Sequence, residues 1–261
     1  MEQILFLNRN IEICSFTYHE VTDFPEQSGF QRRSALPYKH SVNEFLAHLD
    51  IFSKCLIPVT TLDQIDFSKS EKHILLTFDD GGISALKVAS LLEERNWRGH
   101  FFITTSMIGK PCFMKSDDIL DLHKRGHIIG VHSHTHPSPF YDLSYTEMLN
   151  EWNTSKLILE NIIGEKVNTA SIPGGDMDRN TQLSSYESGL SYLFCSEPFI
   201  HPKQNGNILL GRICPKKGTP IKRVEDLADF RGFFWEMAIR QIKNIIKVIV
   251  YPIYRQMDKF S

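Results

Sequence analysis

Two aspartates and two histidines in this sequence have the types and spacing of groups that share a metal ion. Asp79 and Asp80 follow a short apolar run and precede two glycines, whereas His132 and His136 lie four positions apart in a turn-like segment. Two imidazoles at this spacing can reach one cation, and a carboxylate from another segment would complete a set with open positions for water and substrate. As alternatives, Asp80 or Gly81 caps the helix that follows, and the histidines are structural.

Each of these groups follows a predicted strand. Strand-like runs alternate with helical patterns along most of the chain, which predicts an α/β architecture with a mainly parallel sheet. About seven such units could close into a barrel. The predicted strands cover 11–18, 74–78, 99–104, 127–131, 167–172, 192–195 and 207–213. The stretch after the first strand, to about residue 40, is predicted as loop, a Ser144–Glu147 capping box is predicted to open a helix, and a weaker helix is predicted at about 182–189. Because chemistry in parallel sheets and barrels lies at the carboxyl ends of the strands, four clusters are expected on one face. These clusters are His19, Asp79–Asp80, His132–His136 and Pro173–Gly175.

The composition describes an ordinary globular chain with no bias toward nucleic acid. The 261 residues are 41% hydrophobic and 23% charged with a formal net charge of −2, which predicts one large domain or a domain with an appendage. Five scattered cysteines without a CxxC pair favour a reducing compartment over a disulfide framework. The N-terminus is a poor signal peptide and no apolar run is long enough to span a bilayer, so we expect a cytoplasmic location.

Two motifs taken together resemble those of a known family. TFDDG at 77–81 and the H-[ST]-x-x-H pattern at 132–136 are similar to motifs of the polysaccharide deacetylase, or NodB-homology, family (carbohydrate esterase family 4). The similarity runs from about Cys14 to Ile213. The resemblance implies a distorted (β/α) barrel of about seven parallel strands, one divalent metal ion, usually zinc, and hydrolysis of an N-acetyl group on a sugar.

The resemblance also implies a role for each matching residue. Asp79 would be the general base, while Asp80, His132 and His136 would bind the metal ion. A carboxylate that gives its charge to a cation leaves its neighbour free to stay ionised and accept a proton. The family's R-x-P-x-G motif corresponds to residues 171–175, so the fourth position, Gly174, would donate its N–H to the oxyanion.

Two departures from the family pattern bear on this site. Ser171 stands where the family often has an arginine that orients the base, and Arg212 is a candidate substitute, with an ordinary strand-end salt bridge as the favoured alternative. We also expect Pro173, Gly175 and Arg212 to face the substrate. The family's late Leu-x-His motif, which supplies the general acid, is absent near the C-terminus.

The general acid is expected from the first strand instead. The YHEV segment at 18–21 resembles the YHxV segment of the members whose barrel is circularly rearranged, which makes His19 the residue that protonates the leaving amine. A histidine that only caps the strand end is the alternative. His134 and Ser133 are interpreted as support for the loop that carries the histidine pair.

The sequence divides into a barrel domain, residues 1–220, and a C-terminal amphipathic helical tail, residues 221–261. Within 233–254, apolar positions recur at helical spacing, and Arg240, Lys243 and Lys247 lie elsewhere around the helix. Pro252 should end or kink this helix. The helix therefore either lies on an anionic membrane surface or packs on the barrel, and the two readings weigh equally. Membrane contact would suit a lipid-linked saccharide.

Together these features predict a metal-dependent N-deacetylase that acts on an acetylated amino sugar of a cell-surface saccharide or its intracellular precursor. The substrate would be lipid-linked, nucleotide-linked or free, and no nucleic acid is expected as a partner. One alternative is an amidohydrolase for a small non-sugar amide, since the same site would cut either. The other is a catalytically silent, saccharide-binding barrel, which Ser171 alone favours.

Overall fold

The computed structural model describes residues 7–242, which form one curled, mainly parallel sheet with helices around it and a separate sheet of two short strands. The strands are β1 (Glu12–Tyr18), β2 (Glu20–Val21), β3 (Lys39–His40), β4 (Val59–Thr60), β5 (Lys72–Phe78), β6 (His100–Ile103), β7 (Ile128–Val131), β8 (Thr169–Ser171), β9 (Tyr192–Phe194), β10 (Lys203–Asn205), β11 (Asn207–Leu210) and β12 (Arg212–Ile213). The helices are α1 (Val42–Lys54), α2 (Ala85–Glu93), α3 (Ser116–Lys124), α4 (Tyr145–Ile163), α5 (Arg179–Glu187) and α6 (Ile221–Ala228), and residues 233–242 are also helical.

The sheet curls so far that the two halves of one interrupted strand form its two edges. The parallel order is β11-β9-β8-β7-β6-β5-β1-β12, and β11 and β12 are separated by Gly211 alone. Leu210 pairs with Phe194 on one side, while Arg212 pairs with Ser15 on the other. A Cβ on Gly211 would lie 2.4 Å from the backbone oxygens of residues 197 and 199, so glycine is required at this seam. The predicted distorted barrel of about seven parallel strands is confirmed.

Alternation along the strands separates an inner face from an outer face. Cys14 and Phe16 of β1 belong to the large apolar cluster that the helices cover, whereas Ile13 belongs to a smaller cluster with Leu75 and Phe194. Further along β1, on the same side as Ile13, lies the polar Thr17. The interior thus changes from apolar to polar toward the carboxyl ends of the strands, where the chemistry was expected.

Capping residues fix where the helices that pack around the sheet begin and end. Ser41 caps α1, since its hydroxyl accepts a hydrogen bond from Glu44 N at 3.2 Å. Ser144 and Glu147 form the predicted capping box at α4, and Gly164 ends that helix with φ +77°. Other boundaries differ from the prediction.

Three of these boundary differences have local causes. The prediction placed the start of α5 near 182, but it begins three residues earlier because Asp178 accepts from Thr181 N at 2.7 Å. The predicted last strand is divided at Gly211. Ser84, not Asp80 or Gly81, precedes α2, so the capping role considered for those two residues is wrong.

The C-terminal part of the described chain begins with a helix that packs into the core. Val224, Leu227 and Ala228 of α6 are buried in the large apolar cluster. The domain boundary at residue 220 and the extent of the tail stay predictions. The tail positions beyond 242, which include the predicted kink at Pro252, lie outside the described residues. Within 7–242, no helix has the length and apolarity needed to cross a membrane.

Candidate active site

Three predicted metal ligands converge at the carboxyl end of the sheet. Asp80 follows β5, and His132 and His136 follow β7. Oδ1 of Asp80 lies 3.4 Å from Nε2 of His132 and 3.3 Å from Nε2 of His136. The three ligand atoms all lie within 4.8 Å of one another. Oδ1 of Asp80 is buried and has no hydrogen-bond partner among the described residues. An unsatisfied carboxylate oxygen facing two imidazole nitrogens fits a bound divalent cation.

The backbone at this group adopts conformations that are rare for residues with a side chain. Asp80 has φ +75°, His136 has φ +61° and Ser133 has φ +58°. Such left-handed residues persist only where the surrounding structure holds them, and they concentrate at functional sites. Ser133 contributes to this support, since its hydroxyl accepts from His136 N at 3.0 Å. The predicted supporting role of Ser133 is consistent with this bond.

Asp79 is fixed by two donors from different strands. Arg212 Nη1 donates to Oδ1 of Asp79 at 2.8 Å, and the Ser171 hydroxyl donates to Oδ2 at 3.1 Å. All three side chains are buried. Arg212 was weighed above mainly as an ordinary strand-end ion pair, but its partner is the proposed base itself. The arginine missing at position 171 is thus replaced by one from β12.

Opposing effects set the ionisation of this cluster. Burial alone would raise the pKa of Asp79, but the positive charges of Arg212, His132 and His19 outweigh it and leave the pKa below its ordinary value. Burial would likewise raise the pKa of Asp80, but its contacts with His132 and His136 bring it well below the usual range. Burial would lower the pKa of His132, and the two aspartates raise it instead. Both carboxylates are therefore ionised at neutral pH.

Backbone and side-chain contacts orient the histidine-bearing loop. Nδ1 of His132 hydrogen-bonds the Ser171 carbonyl oxygen at 3.0 Å, which leaves Nε2 to face Asp80. Nδ1 of His134 lies 2.9 Å from the Thr105 hydroxyl, and its backbone N–H donates to Glu151 at 2.8 Å. His134 therefore supports the loop, as interpreted from sequence, and is not part of the ligand group.

His19 lies beside this cluster at the end of β1. Its ring stacks near Tyr38 with a centroid distance of 4.9 Å, and its buried Nδ1 has no hydrogen-bond partner among residues 7–242. Burial lowers the pKa of His19 despite the nearby charges of Asp80 and Asp79. The ring lines the pocket and makes no capping hydrogen bond among residues 7–242.

The glycine-rich turn after β8 supplies a free N–H. Gly174 is exposed at the pocket, and its N–H has no acceptor in the described part of the chain. Gly175 N instead donates to the Ile172 carbonyl oxygen at 2.9 Å, and a Cβ there would collide with Ser196. Gly175 thus shapes the turn and also lines the pocket. Pro173 is buried outside the pocket lining, so the prediction that it faces the substrate finds no contact here.

These residues form the floor of a pocket of about 890 Å³. Its walls include side chains that no motif marked in the sequence, because they lie on irregular segments or at a helix surface. They are Arg32, Tyr38, Ser138, Lys216, Lys217, Arg223, Glu236 and Arg240. Tyr38 lies at the end of the short 3₁₀ helix Arg33–Tyr38, in a stretch predicted only as loop. The wall is therefore the part of the site that local patterns do not predict.

Comparison with known proteins agrees with this description. Residues 67–193 match the family model described as Polysaccharide deacetylase. No curated protein matches the chain in sequence. A polysaccharide deacetylase from Bacillus cereus is similar in fold, with TM-score 0.69 and 17% identity over 83% of this chain and 69% of that one.

Two further structures share the fold over nearly their whole length. IcaB from Ammonifex degensii has TM-score 0.65 and 18% identity, covering 87% of this chain and 97% of its own. A de-N-acetylase from Aggregatibacter actinomycetemcomitans has TM-score 0.67 and 15% identity, covering 83% of this chain and 99% of its own.

The curled parallel sheet and its polar carboxyl end define a (β/α) barrel of the NodB type. The family match, which contains the TFDDG and histidine motifs, makes the assignment specific. Residues 67–193 thus have the sequence pattern of the polysaccharide deacetylase family, on a fold like that of the deacetylase structures. The family match supports carbohydrate de-N-acetylation as the activity.

Proposed function

We propose that this protein is a metal-dependent hydrolase that removes N-acetyl groups from an amino sugar of a cell-surface saccharide or its precursor. One observation carries the proposal: Asp79, held by Arg212 and Ser171, lies directly beside the converging Asp80–His132–His136 group. Oδ2 of Asp79 is 4.0 Å from Nε2 of His132. A fixed, ionised carboxylate next to a cation site is what a hydrolytic base requires.

The donor set favours zinc as the ion. Two imidazole nitrogens and one carboxylate oxygen are ligands that zinc commonly accepts in catalytic sites, with a further position left open. A divalent ion held by Asp80, His132 and His136 would polarise the acetamide carbonyl and make a water molecule more acidic. Every other part of the reaction is assigned to side chains and N–H groups of the chain.

The chain's own groups divide the proton movements. Asp79 accepts a proton from the attacking water, and its hydrogen bonds from Arg212 and Ser171 keep one carboxylate geometry during that step. The free N–H of Gly174 stabilises the oxygen that becomes negative as the carbonyl is attacked. His19 donates a proton to the leaving amine. Burial disfavours the charged ring, and the nearby carboxylates of Asp80 and Asp79 act in the opposite direction by favouring the protonated form that can donate.

Acetate release tests this function directly. The full-length protein, supplied with zinc, should release acetate from N-acetylated amino sugars that are free, nucleotide-linked or lipid-linked, and a chelator should stop the reaction. If acetate comes only from small non-sugar amides, the amidohydrolase alternative replaces the sugar deacetylase. If saccharide binds and no substrate is cleaved, the silent barrel is correct. Ser171, its one favouring feature, contacts Asp79 through its hydroxyl.

A second proposal concerns location, and it rests on the helix 233–242. Phe234 is 71% exposed, Trp235 68% and Ile242 58%, so the apolar face of the described helix lies open to solvent. The same helix borders the pocket through Ile239 and Arg240. We propose that this face rests on an anionic membrane surface and presents the pocket to a lipid-linked saccharide, since exposed aromatic residues insert at the lipid interface.

Arg240, a basic residue of this helix, has a role other than membrane contact. Arg240 donates to Glu197 at 2.9 Å and also to Asp176, so its charge is used to attach the helix to the pocket wall. The apolar residues, not Arg240, must therefore supply the contact. The variant Phe234→Ser/Trp235→Ser should lose sedimentation with vesicles containing phosphatidylglycerol, whereas Leu157→Ser, an exposed position on α4, should not. Equal sedimentation of all three proteins would contradict the proposal.

Location in a reducing compartment also stays a proposal. All five cysteines are free thiols, and Cys14 and Cys195 are buried. Unpaired thiols are typical of proteins kept under reducing conditions. We propose a cytoplasmic protein peripheral to the inner membrane face. Cell fractionation with antibody detection tests this, and protein recovered outside the cytoplasmic and inner-membrane fractions would overturn it.

A further inference from the structure

Unpaired positive charge lies on the wall of the catalytic pocket. Five cationic side chains line it above the buried Arg212. Two of them are neutralised, because Arg223 pairs with Glu236 at 2.7 Å and Arg240 pairs with Asp176 and Glu197. The other three, Arg32, Lys216 and Lys217, form no ion pair with any carboxylate in residues 7–242. We call these three residues the cationic rim.

The cationic rim flanks the catalytic groups on two sides. Nζ of Lys216 lies 5.3 Å from the centroid of the Tyr38 ring, and that ring packs against His19. Lys217 N donates to the Pro37 carbonyl oxygen at 2.8 Å, which joins the lysine loop to the segment carrying Tyr38. The lysines thus stand beside the proposed general acid.

Arg32 stands on the other side, against the metal group. Its guanidinium packs 4.7 Å over the Phe30 ring, and Nη2 lies 3.5 Å from Nδ1 of His136. With Nε2 of His136 facing Asp80 as a ligand, the neutral ring carries its hydrogen on Nδ1. Two donors then face each other without an acceptor. An anionic oxygen lying beside this pair of nitrogens would accept a hydrogen bond from each.

The pocket offers little that would select a neutral sugar chain. Among the described residues that line it, Tyr38 is the single aromatic ring apart from histidines. A long neutral polysaccharide would need an extended series of stacking surfaces. A short sugar that carries a phosphate at its anomeric carbon would instead use Tyr38 once and the cationic rim for its charge.

We propose that the cationic rim is a subsite for a phosphate or diphosphate group attached to the acetylated sugar. This inference rests on the proposed deacetylase function and narrows its substrate class to sugar phosphoesters. The diphosphate could join the sugar to a nucleoside or to a polyprenyl lipid, because both present the same anionic group to the rim. Neutral oligosaccharides are excluded as preferred substrates.

Comparison of matched substrates provides the activity test. The wild-type protein should have a kcat/KM at least about tenfold higher for UDP-N-acetylglucosamine, or for polyprenyl diphosphate-N-acetylglucosamine, than for N,N′-diacetylchitobiose. In Lys216→Gln/Lys217→Gln, kcat/KM for the phosphoesters should fall roughly tenfold through a higher KM, while that for the neutral sugar stays unchanged. Lys87→Gln, an exposed lysine on α2 outside the pocket, serves as the control.

The two phosphoester arms distinguish the source of the phosphate. Preference for the nucleotide conjugate assigns a nucleotide-linked substrate, and preference for the polyprenyl conjugate in detergent or vesicles assigns a lipid-linked one. Equal kcat/KM for neutral and phosphorylated sugars, or phosphoester activity unaffected by the double lysine variant, would overturn the subsite.

A binding measurement separates this inference from the deacetylase function. Calorimetric titration with N-acetylglucosamine 1-phosphate should show binding to the wild type and to Lys87→Gln, with roughly tenfold weaker binding to Lys216→Gln/Lys217→Gln. N-acetylglucosamine should bind all three proteins alike. Phosphate-dependent binding without turnover would keep the subsite and reject the deacetylase. Turnover with no phosphate-dependent binding would keep the deacetylase function and reject the subsite. Arg32 is left unchanged here because it contacts a proposed metal ligand.

Discussion

Arg212 and Asp79 form a buried ion pair, with Nη1 and Oδ1 2.8 Å apart, that connects the seam of the barrel to the proposed catalytic base. Arg212 belongs to β12 and Asp79 follows β5, so the two residues are 133 positions apart in sequence. The Thr77 hydroxyl of β5 is 3.4 Å from the same guanidinium nitrogen. The base is thereby positioned by the closure of the barrel.

Replacing this arginine should reduce both turnover and stability. Arg212→Gln leaves Asp79 buried without its cation, which we expect to lower the free energy of unfolding by about 3–5 kcal/mol. The rate constant kcat should fall by roughly 100-fold while zinc content stays near one ion per chain. Denaturant unfolding, steady-state kinetics and metal analysis measure the three quantities. A variant with wild-type kcat would show that Arg212 does not position the base.

Substitutions of the two adjacent aspartates should have different effects on metal binding. Asp80→Ala removes the only carboxylate of the ligand group and should abolish zinc retention after dialysis. Asp79→Asn keeps the group intact and should retain zinc, yet reduce kcat by about 100-fold or more. Metal content by mass spectrometry, measured beside acetate release, tests both. Retained activity in Asp79→Asn would remove the proposed base.

The acid role of His19 should depend on the leaving group. His19→Gln cannot donate a proton to a departing amine, so kcat on an N-acetyl sugar should fall by roughly 100-fold. An aryl acetate releases a phenolate that needs no such proton, and its hydrolysis should fall far less. Parallel kinetics on the two substrates test this. Equal losses on both would indicate that His19 acts on positioning and not on proton donation.

The buried carboxyl of Glu20 should make stability depend on pH. Burial raises the pKa of Glu20 from its ordinary value of 4.5 to about 7, although the hydroxyls of Ser28 and Ser84 donate to it and lower it. Its Oε1 lies against Gly29 and Gly82, where a Cβ would collide with it. The carboxyl is therefore neutral in the folded protein at a pH where the unfolded chain ionises it.

Because the pKa of Glu20 is higher in the folded protein than in the unfolded chain, its contribution to stability falls as the pH rises. Stability from Glu20 is fully present below pH 4.5 and declines as the pH rises to about 7, by about 3 kcal/mol for a shift of about 2.5 units. Glu20→Gln carries a neutral amide at every pH and should lack this decline. Urea unfolding at intervals from pH 4 to 8 gives the difference between the two proteins. A difference that does not change across this range would contradict the prediction.

Local sequence patterns predicted the sheet and the residues at the floor of the site. The contacts that hold Asp79 and the residues that form the pocket wall depend on segments far apart in sequence, and local patterns do not predict them. Strand and helix periodicities place Asp80, His132 and Gly174 at strand ends, and parallel strands bring those ends together. The sequence offered Arg212 only as a candidate partner of Asp79 and favoured an ordinary salt bridge, because the pairing depends on how β12 registers with β1 across the seam. Arg32 and Tyr38 belong to an irregular segment without periodicity.

The position of Gly211 gives the barrel a specific weak point. This glycine directly precedes Arg212, and the strand changes neighbours there, from β9 to β1. Parting of the sheet at this junction would withdraw the guanidinium from Asp79. The group Asp80, His132 and His136, which follows β5 and β7, would stay assembled on the opposite side of the barrel. If this group holds the proposed ion, molecules damaged at the seam would keep the ion and lose the positioned base, so metal stoichiometry alone would overstate the fraction of competent enzyme in a preparation.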